Sequence, residues 1–347
     1  MNPFDGPISL RQVWAQLQAE GLAALLPEPG RVPAEEPPAG SHWYVRLFAG
    51  LGAWTAALLL LAFLAISEMI QSGGPALAMG LIFCAVAIPI GRGGGDFRQQ
   101  LGLSLSLLGQ ALFAVGLFDA LRSEDGAAAG IICLELALLA LYPDHTHRVI
   151  STLIIIAAGA FLLQPAPPHG LALGLAAIVV GLAAAEPELQ LSAWRKLTDP
   201  VGSAAAFGLL AALASSPLGI DDPWSCISAV ALLALLGGAG WMIAADLGRM
   251  PGAGQLALAL LGALGLGVLS VRVPGVAAAC LVLTLGFWRS QRWLMGIAAA
   301  FLVFSLGFFY YSLEATLLVK SYALLASGGA LLALRWALGR IQEGATE

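Results

Sequence analysis

Charge is scarce in this chain. Only 11% of its 347 residues are Asp, Glu, Lys or Arg, against roughly a quarter in soluble domains. With 59% hydrophobic residues, a soluble core has no room for so many apolar faces, whereas lipid solvates them. Period-2 alternation is missing too, which excludes an outer-membrane barrel. The 16 Lys and Arg form no basic cluster, so nucleic acid is not an expected partner. Cysteine is limited to Cys84, Cys133, Cys226 and Cys280. Each lies in or beside an apolar run without CxxC spacing, so they read as small buried hydrophobes and imply no disulfide framework. There is no nucleophile elbow, HExxH or phosphate loop. Gly91 to Gly95 (GRGGG) lacks the Gly-Lys-Ser/Thr ending and reads as a cytoplasmic turn. No catalytic residue, metal or cofactor is expected. The first 42 residues hold no apolar h-region, so no cleavable signal peptide is expected.

What remains is a succession of apolar runs rich in Ala, Leu and Gly. The predicted fold is all-α, a polytopic transmembrane bundle over residues 43–339. Twelve runs qualify as spans: 43–69, 75–90, 101–118, 127–142, 149–163, 170–185, 201–214, 224–245, 255–271, 273–287, 293–311 and 317–338. Several have only 14 to 17 residues, short for a ~30 Å hydrocarbon core at about 1.5 Å per residue. Their ends must reach into the polar breaks, the bilayer must thin, or a short run must be re-entrant. Charge supplies an independent test of the count. With the N-terminus cytoplasmic, 13 of the 16 basic residues fall inside, only Arg122 and Arg272 fall outside, and Lys320 sits in a span. That is the asymmetry the positive-inside rule requires, and it places both termini in the cytoplasm.

Before the first span, Ser9 and Gln12 fit a capping box. Leu10, Val13, Trp14 and Leu17 follow at helical spacing. Residues 1–26 are therefore expected to form a cytosolic amphipathic helix, 27–42 a Pro-rich linker, and 340–347 a cytosolic tail. Gly170 with Gly174, and Gly262 with Gly265, offer small faces for close helix approach.

Polar residues inside spans carry the functional candidates. Glu135 lies eight residues into its run, about 12 Å from the outer end. A carboxyl group there must be protonated, paired or facing water. Lys320 lies three residues into the last run, in the same outer half of the membrane, so an ion pair with Glu135 is geometrically allowed. Glu314 is the other acid near it, if the chain turns at Ser312. Tyr310 and Tyr311 read as interface anchors. Asp144 to Arg148 (DHTHR) has two histidines but no further ligands for zinc, and reads as a solvated inside loop. His42 and His169 read as interfacial, and Asp221-Asp222 as a solvated outer turn.

The block YYSLEATLLVKS, with Gly328 and Leu331 to Arg335, resembles the signature of a bacterial membrane family called domain of unknown function 4401. The segments LRQVWAQLQAEGL and WYVRLFAGLGAWTAALLLLAFL add to the resemblance. It assigns no activity and no functional residues. Members tend to be encoded beside other small membrane families, which implies a multi-component envelope complex. The expected function is thus a non-enzymatic subunit of a complex in a bacterial inner membrane, with the bilayer and neighbouring membrane proteins as partners. The alternative is a secondary transporter of a small solute or protons through Glu135 and Lys320, and an intramembrane enzyme ranks third.

Overall fold

A computed structural model of the chain describes residues 43–66, most of 73–312, and scattered residues between 316 and 336. The expected N-terminal helix, the Pro-rich linker, the acidic turn at Asp221-Asp222, Glu314 and the C-terminal tail lie outside the described residues. The described residues are all helix or connection, with no strand among them. Eleven helices are present among them: α1 (Trp43–Ile66), α2 (Gly73–Gly91), α3 (Asp96–Leu121), α4 (Glu124–Leu141), α5 (His145–Leu162) and α6 (Pro168–Gln190), then α7 (Arg195–Ala214), α8 (Pro223–Asp246), α9 (Ala253–Arg272), α10 (Pro274–Trp288) and α11 (Arg292–Ser312). Residues 1–52 form one unit, seen here as the opening turns of α1 with Tyr44, Phe48 and Leu51 exposed. All else below belongs to the second unit.

Among the described residues seven helices, α2, α3, α5, α6, α7, α8 and α11, are long and apolar enough to cross a membrane. That is fewer than the twelve runs expected. Helix α4 has 18 residues but carries Glu124, Asp125 and Glu135. Helix α10 has 15 residues, about 22 Å of rise. Ten of those residues are buried, and α6, α7, α8, α9 and α11 all pack on it. A helix wrapped in protein can end within the membrane without leaving backbone groups facing lipid. Elsewhere the helices extend into the polar breaks; α3 reaches 26 residues and α7 reaches 20. Large apolar side chains remain exposed on several helices, including Leu58, Phe63, Leu260, Leu264, Val268, Val303 and Phe304. Helices apolar on both their buried and open faces suit a lipid environment.

The tightest pair is α2 with α3. Gly73, Ala76, Gly80, Cys84, Ala87 and Gly91 form the buried face of α2, and α3 answers with Gly102, Gly109 and Gly116. The α3 glycines recur every seven residues, as do Gly73 and Gly80, so the seam stays in register along the antiparallel pair. Gly80 lies against Gly109 and Phe113, and a Cβ there would stand 2.5 Å from Phe113 N and 2.7 Å from Gly109 O. Gly116 is equally close to Leu77 and Gly73. Asp119 at the far end of α3 accepts a 2.7 Å hydrogen bond from Gly73 N, filling an orphan donor at the start of α2. The other glycines expected to mediate close approach do not: Gly170, Gly174, Gly262 and Gly265 have nothing within 4 Å of an added Cβ. Spacing fixes which residues share a face, and not which face meets a neighbour.

The main core lies among α6, α7, α8, α10 and α11, around Leu175, Val179, Leu209, Leu232, Leu281, Val282, Leu285 and Ala298. Cationic side chains then complete the backbone. Pro187 inside α6 has no N–H, which strips Ala183 O of its helical donor. Arg289, at the end of α10, donates Nη2 to that carbonyl. Its Nε pairs with Glu186 at 2.7 Å, and its guanidinium lies 3.7 Å over the Trp288 ring. Pro200 does the same to Lys196 O in α7, and Arg148 donates Nη1 to it at 2.6 Å. Arg148 also donates Nε to Tyr142 O at 2.9 Å, and Arg92 donates to Leu141 O at 3.0 Å. These two bonds fill the open end of α4, where cations also suit the helix dipole. Pro89 in α2 has no such donor among the described residues.

Glycine packing makes a direct contrast in stability. Gly80→Ala forces a methyl group into backbone and is expected to cost about 1–3 kcal/mol. Gly170→Ala meets open space and is expected to be neutral, or stabilising by up to about 1 kcal/mol through helix propensity. Thermal unfolding in detergent measures both, and equal effects would contradict the packing.

Candidate functional site: a buried polar line across three helices

Helix α4 stops at Leu141 because Pro143 follows, and α5 restarts almost at once. Asp144 is the N-cap of α5 and accepts a 2.9 Å hydrogen bond from His147 N. That cap fixes His147 in the first turn of α5 and turns its ring inward. His147 has 0% exposure, as has Tyr142, whose ring stacks on the imidazole at 4.0 Å and 14°. Gly91 and Gly102 make room for the Tyr142 ring; a side chain at either would collide with its hydroxyl. The phenol is thereby clamped between the ends of α2 and α3.

Both imidazole nitrogens are engaged. Nε2 lies 2.8 Å from Ser106 Oγ and 3.2 Å from Gln110 Nε2, both on α3. Nδ1 lies 3.3 Å from Ser151 Oγ, one turn along α5. With the Gln110 amide donating, Nε2 is the acceptor and Nδ1 carries the proton. A line therefore runs from Ser106 and Gln110 through His147 to Ser151. All four are buried, as is Glu135 on α4, to 1% exposure. Cys84 closes the α2 side, its thiol donating to Ser106 O at 3.7 Å. Chemically, such a line can hold a proton or hand one along.

The line is incompletely satisfied. Glu135 Oε2, Gln110 Oε1 and the Tyr142 hydroxyl are buried without a hydrogen-bond partner among the described residues. Buried polar atoms in native proteins are ordinarily paired.

Of the expected site residues, Glu135 is buried on α4, but its depth differs from the one its apolar run implied. Helix α4 begins at Glu124. Glu135 is therefore about 16 Å from that end and about 9 Å from the Leu141 end. Lys320 Nζ donates to Tyr310 O at 2.8 Å and lies 5.0 Å from the Tyr310 ring, while Glu314 lies outside the described residues. That carbonyl belongs to the last turn of α11. Tyr310 and Tyr311 meet edge to face at 5.6 Å, and Tyr311 is exposed. The DHTHR segment is a helix start rather than a solvated loop. His145 is exposed while His147 is buried, so the two do not converge, and no cluster of three metal ligands exists among the described residues. His169 is also buried rather than interfacial, with Nδ1 3.3 Å from Ser228 Oγ.

Sequence reading missed Ser106, Gln110, Tyr142, His147 and Ser151. Two signals were available. Asp144 before an apolar run is an N-cap, which would have put His147 on a helix. Ser106 and Gln110 share one face of an apolar run at i, i+4.

Replacing His147 by Leu strands the polar atoms of Ser106, Gln110 and Ser151. The expected loss is about 3 kcal/mol or more of stability, against little change for His145→Leu, both measured by thermal unfolding in detergent.

A family model described as domain of unknown function (DUF4401) matches residues 42–341, and the chain belongs to this family. No curated protein and no solved structure matches it.

Proposed function

We propose that this DUF4401 chain is a non-enzymatic subunit of a membrane complex, seated in a bacterial inner membrane with about twelve spans and both termini in the cytoplasm. The observation that carries the partner reading is an open face on α6. Gly170, Gly174, Ala177, Gly181 and Ala184 follow one another along a single exposed helix face, and the three glycines have nothing within 4 Å of an added Cβ. The opposite face, through Ala172, Leu175, Ala176 and Val179, is spent on the core. In a bilayer, small residues gain little from lipid, and they let a partner helix come close enough for backbone contact.

The span count draws support from the 13-to-2 division of basic residues. Helical residues between 317 and 336 add a further segment beyond α11. A solute transporter built on Glu135 and Lys320 is less well supported, because Glu135 is closed off from solvent and Lys320 is engaged by Tyr310.

Affinity purification in mild detergent tests the proposal. Wild-type protein is expected to bring down defined membrane proteins in constant ratio. Gly174→Leu, which fills the open face without touching the core, is expected to lose them while keeping its own abundance. A wild-type chain that purifies alone, or a Gly174→Leu chain that keeps every partner, contradicts it.

A further inference from the structure

Where α6 ends and α7 begins, the turn between α10 and α11 folds over them and leaves a cleft. Val179 and Leu182 on α6, Leu285 on α10 and Leu294 on α11 supply apolar walls, and Asp199, Ser203 and Gln291 are among its polar lining. We propose that this cleft binds a primary ammonium group on a short carbon chain, with Asp199, Ser203 and Gln291 as its hydrogen-bond acceptors.

Charge selects a cation. Glu186, Asp199 and Arg289 line the cleft. Arg289 pairs with Glu186 at 2.7 Å, reaches Ala183 O and lies over Trp288, so that pair is neutral and committed. Asp199 remains as the unbalanced charge of the lining. Its neighbour Arg195 approaches only Oδ2, at 3.4 Å, with the two side chains 58% and 41% exposed. Such a solvated pair is weak and yields to a better-placed cation. The same exposure of Asp199 opens the cleft to solvent.

Ser203 is the second, independent observation. It is 6% exposed and lines the cleft, yet its hydroxyl makes no hydrogen bond among the described residues. Helical serines commonly bond the carbonyl four residues back, as Ser104 and Ser321 do here. Ser203 does not, and a buried hydroxyl ordinarily has a partner. Asp199 and Ser203 are four apart and share one face of α7. Gln291 comes from the opposite side, its backbone fixed by a 2.8 Å bond from its N–H to Gly286 O. An ammonium brings three donors to these three acceptors, whereas a hard metal ion takes about six or more oxygens. The cleft has about 50 Å³ of free space. At about 10–15 Å³ for one water, that holds roughly three to five non-hydrogen atoms, the size of an aminoethyl group. Trp194, 65% exposed, lies beside Arg195 and Lys196 at the same corner. Aromatic and basic residues mark the headgroup level of a bilayer, so phosphatidylethanolamine and soluble alkylamines both carry the required chemistry.

Ligand-detected NMR with ethylammonium chloride and the full chain in lipid-free detergent tests this. Three non-hydrogen atoms bind at best with a Kd of roughly 1 mM, and saturable binding in that range is expected. Sodium at equal concentration and tetramethylammonium, which has no N–H, are expected not to compete. Ser203→Ala is expected to weaken binding on the order of tenfold and Asp199→Asn to abolish it. Glu188→Gln, an exposed acid of the same helix end that does not line the cleft, is expected to bind as wild type. Thermal unfolding without ligand shows which variants are folded, and Ser203→Ala carries the test if Asp199→Asn is not. Repeating the titration in vesicles separates the sources. Binding in phosphatidylglycerol that is lost in phosphatidylethanolamine–phosphatidylglycerol identifies the lipid headgroup, and binding kept in both identifies a soluble amine. No saturable binding in detergent, displacement by sodium, or folded Ser203→Ala that binds as wild type would overturn the site.

Discussion

A backbone carbonyl deprived of its helical donor needs another donor, and at several such places this fold supplies an arginine. Pro187 and Pro200 each free one carbonyl, and Arg289 and Arg148 each supply the missing donor. Arg92 and Arg148 fill the open end of α4, and Lys320 donates to a carbonyl in the last turn of α11. Such charge-assisted bonds are worth about 1.5–3 kcal/mol each, and the unmet alternative in a low-dielectric interior is worse. Arg92, Arg148 and Arg289 are therefore placed where the backbone lacks helical donors.

Arg148 shows how that constraint shapes the candidate site. It bonds the turn after α4 and the first turn of α7, and so joins the helices before α6 to the core beyond it. Asp144, His147, Arg148 and Ser151 occupy two successive turns of α5. One residue caps the helix, one ties it to α7, and two enter the polar line. The seam between α2 and α3 does the complementary work without charge: its glycines bring two backbones into contact and leave the space that Tyr142 fills.

Membrane character was legible because composition and apolar run length act on every residue, and the family block from Tyr310 to Ser321 was legible as a local pattern. Contacts were not. The glycine pairs at Gly170 and Gly262 look no different in sequence from those at Gly80 and Gly109, yet one set faces open space and the other faces backbone. Lys320 invited a search for an acid, whereas its partner among the described residues is the Tyr310 carbonyl, which no spacing rule points to. His147 was hidden by its charged neighbours. The cap that turns it inward is a three-residue feature, and its partners on α3 come from a helix some forty residues earlier. The arginines counted for orientation carry the same lesson, since the positive-inside rule weighs them alike while the structure gives Arg92, Arg148 and Arg289 separate addresses.

The central claim is that these cations replace donors that prolines remove, and a double-mutant cycle between Pro187 and Arg289 tests it most directly. Pro187→Ala returns an N–H to Ala183 O, while the Arg289–Glu186 pair is present in both backgrounds and cancels from the comparison. Arg289→Met is expected to destabilise the wild type by about 2–3 kcal/mol, and the Pro187→Ala background by at least about 1 kcal/mol less. Thermal unfolding of the four proteins in one detergent gives the coupling. An equal loss in both backgrounds would contradict the account.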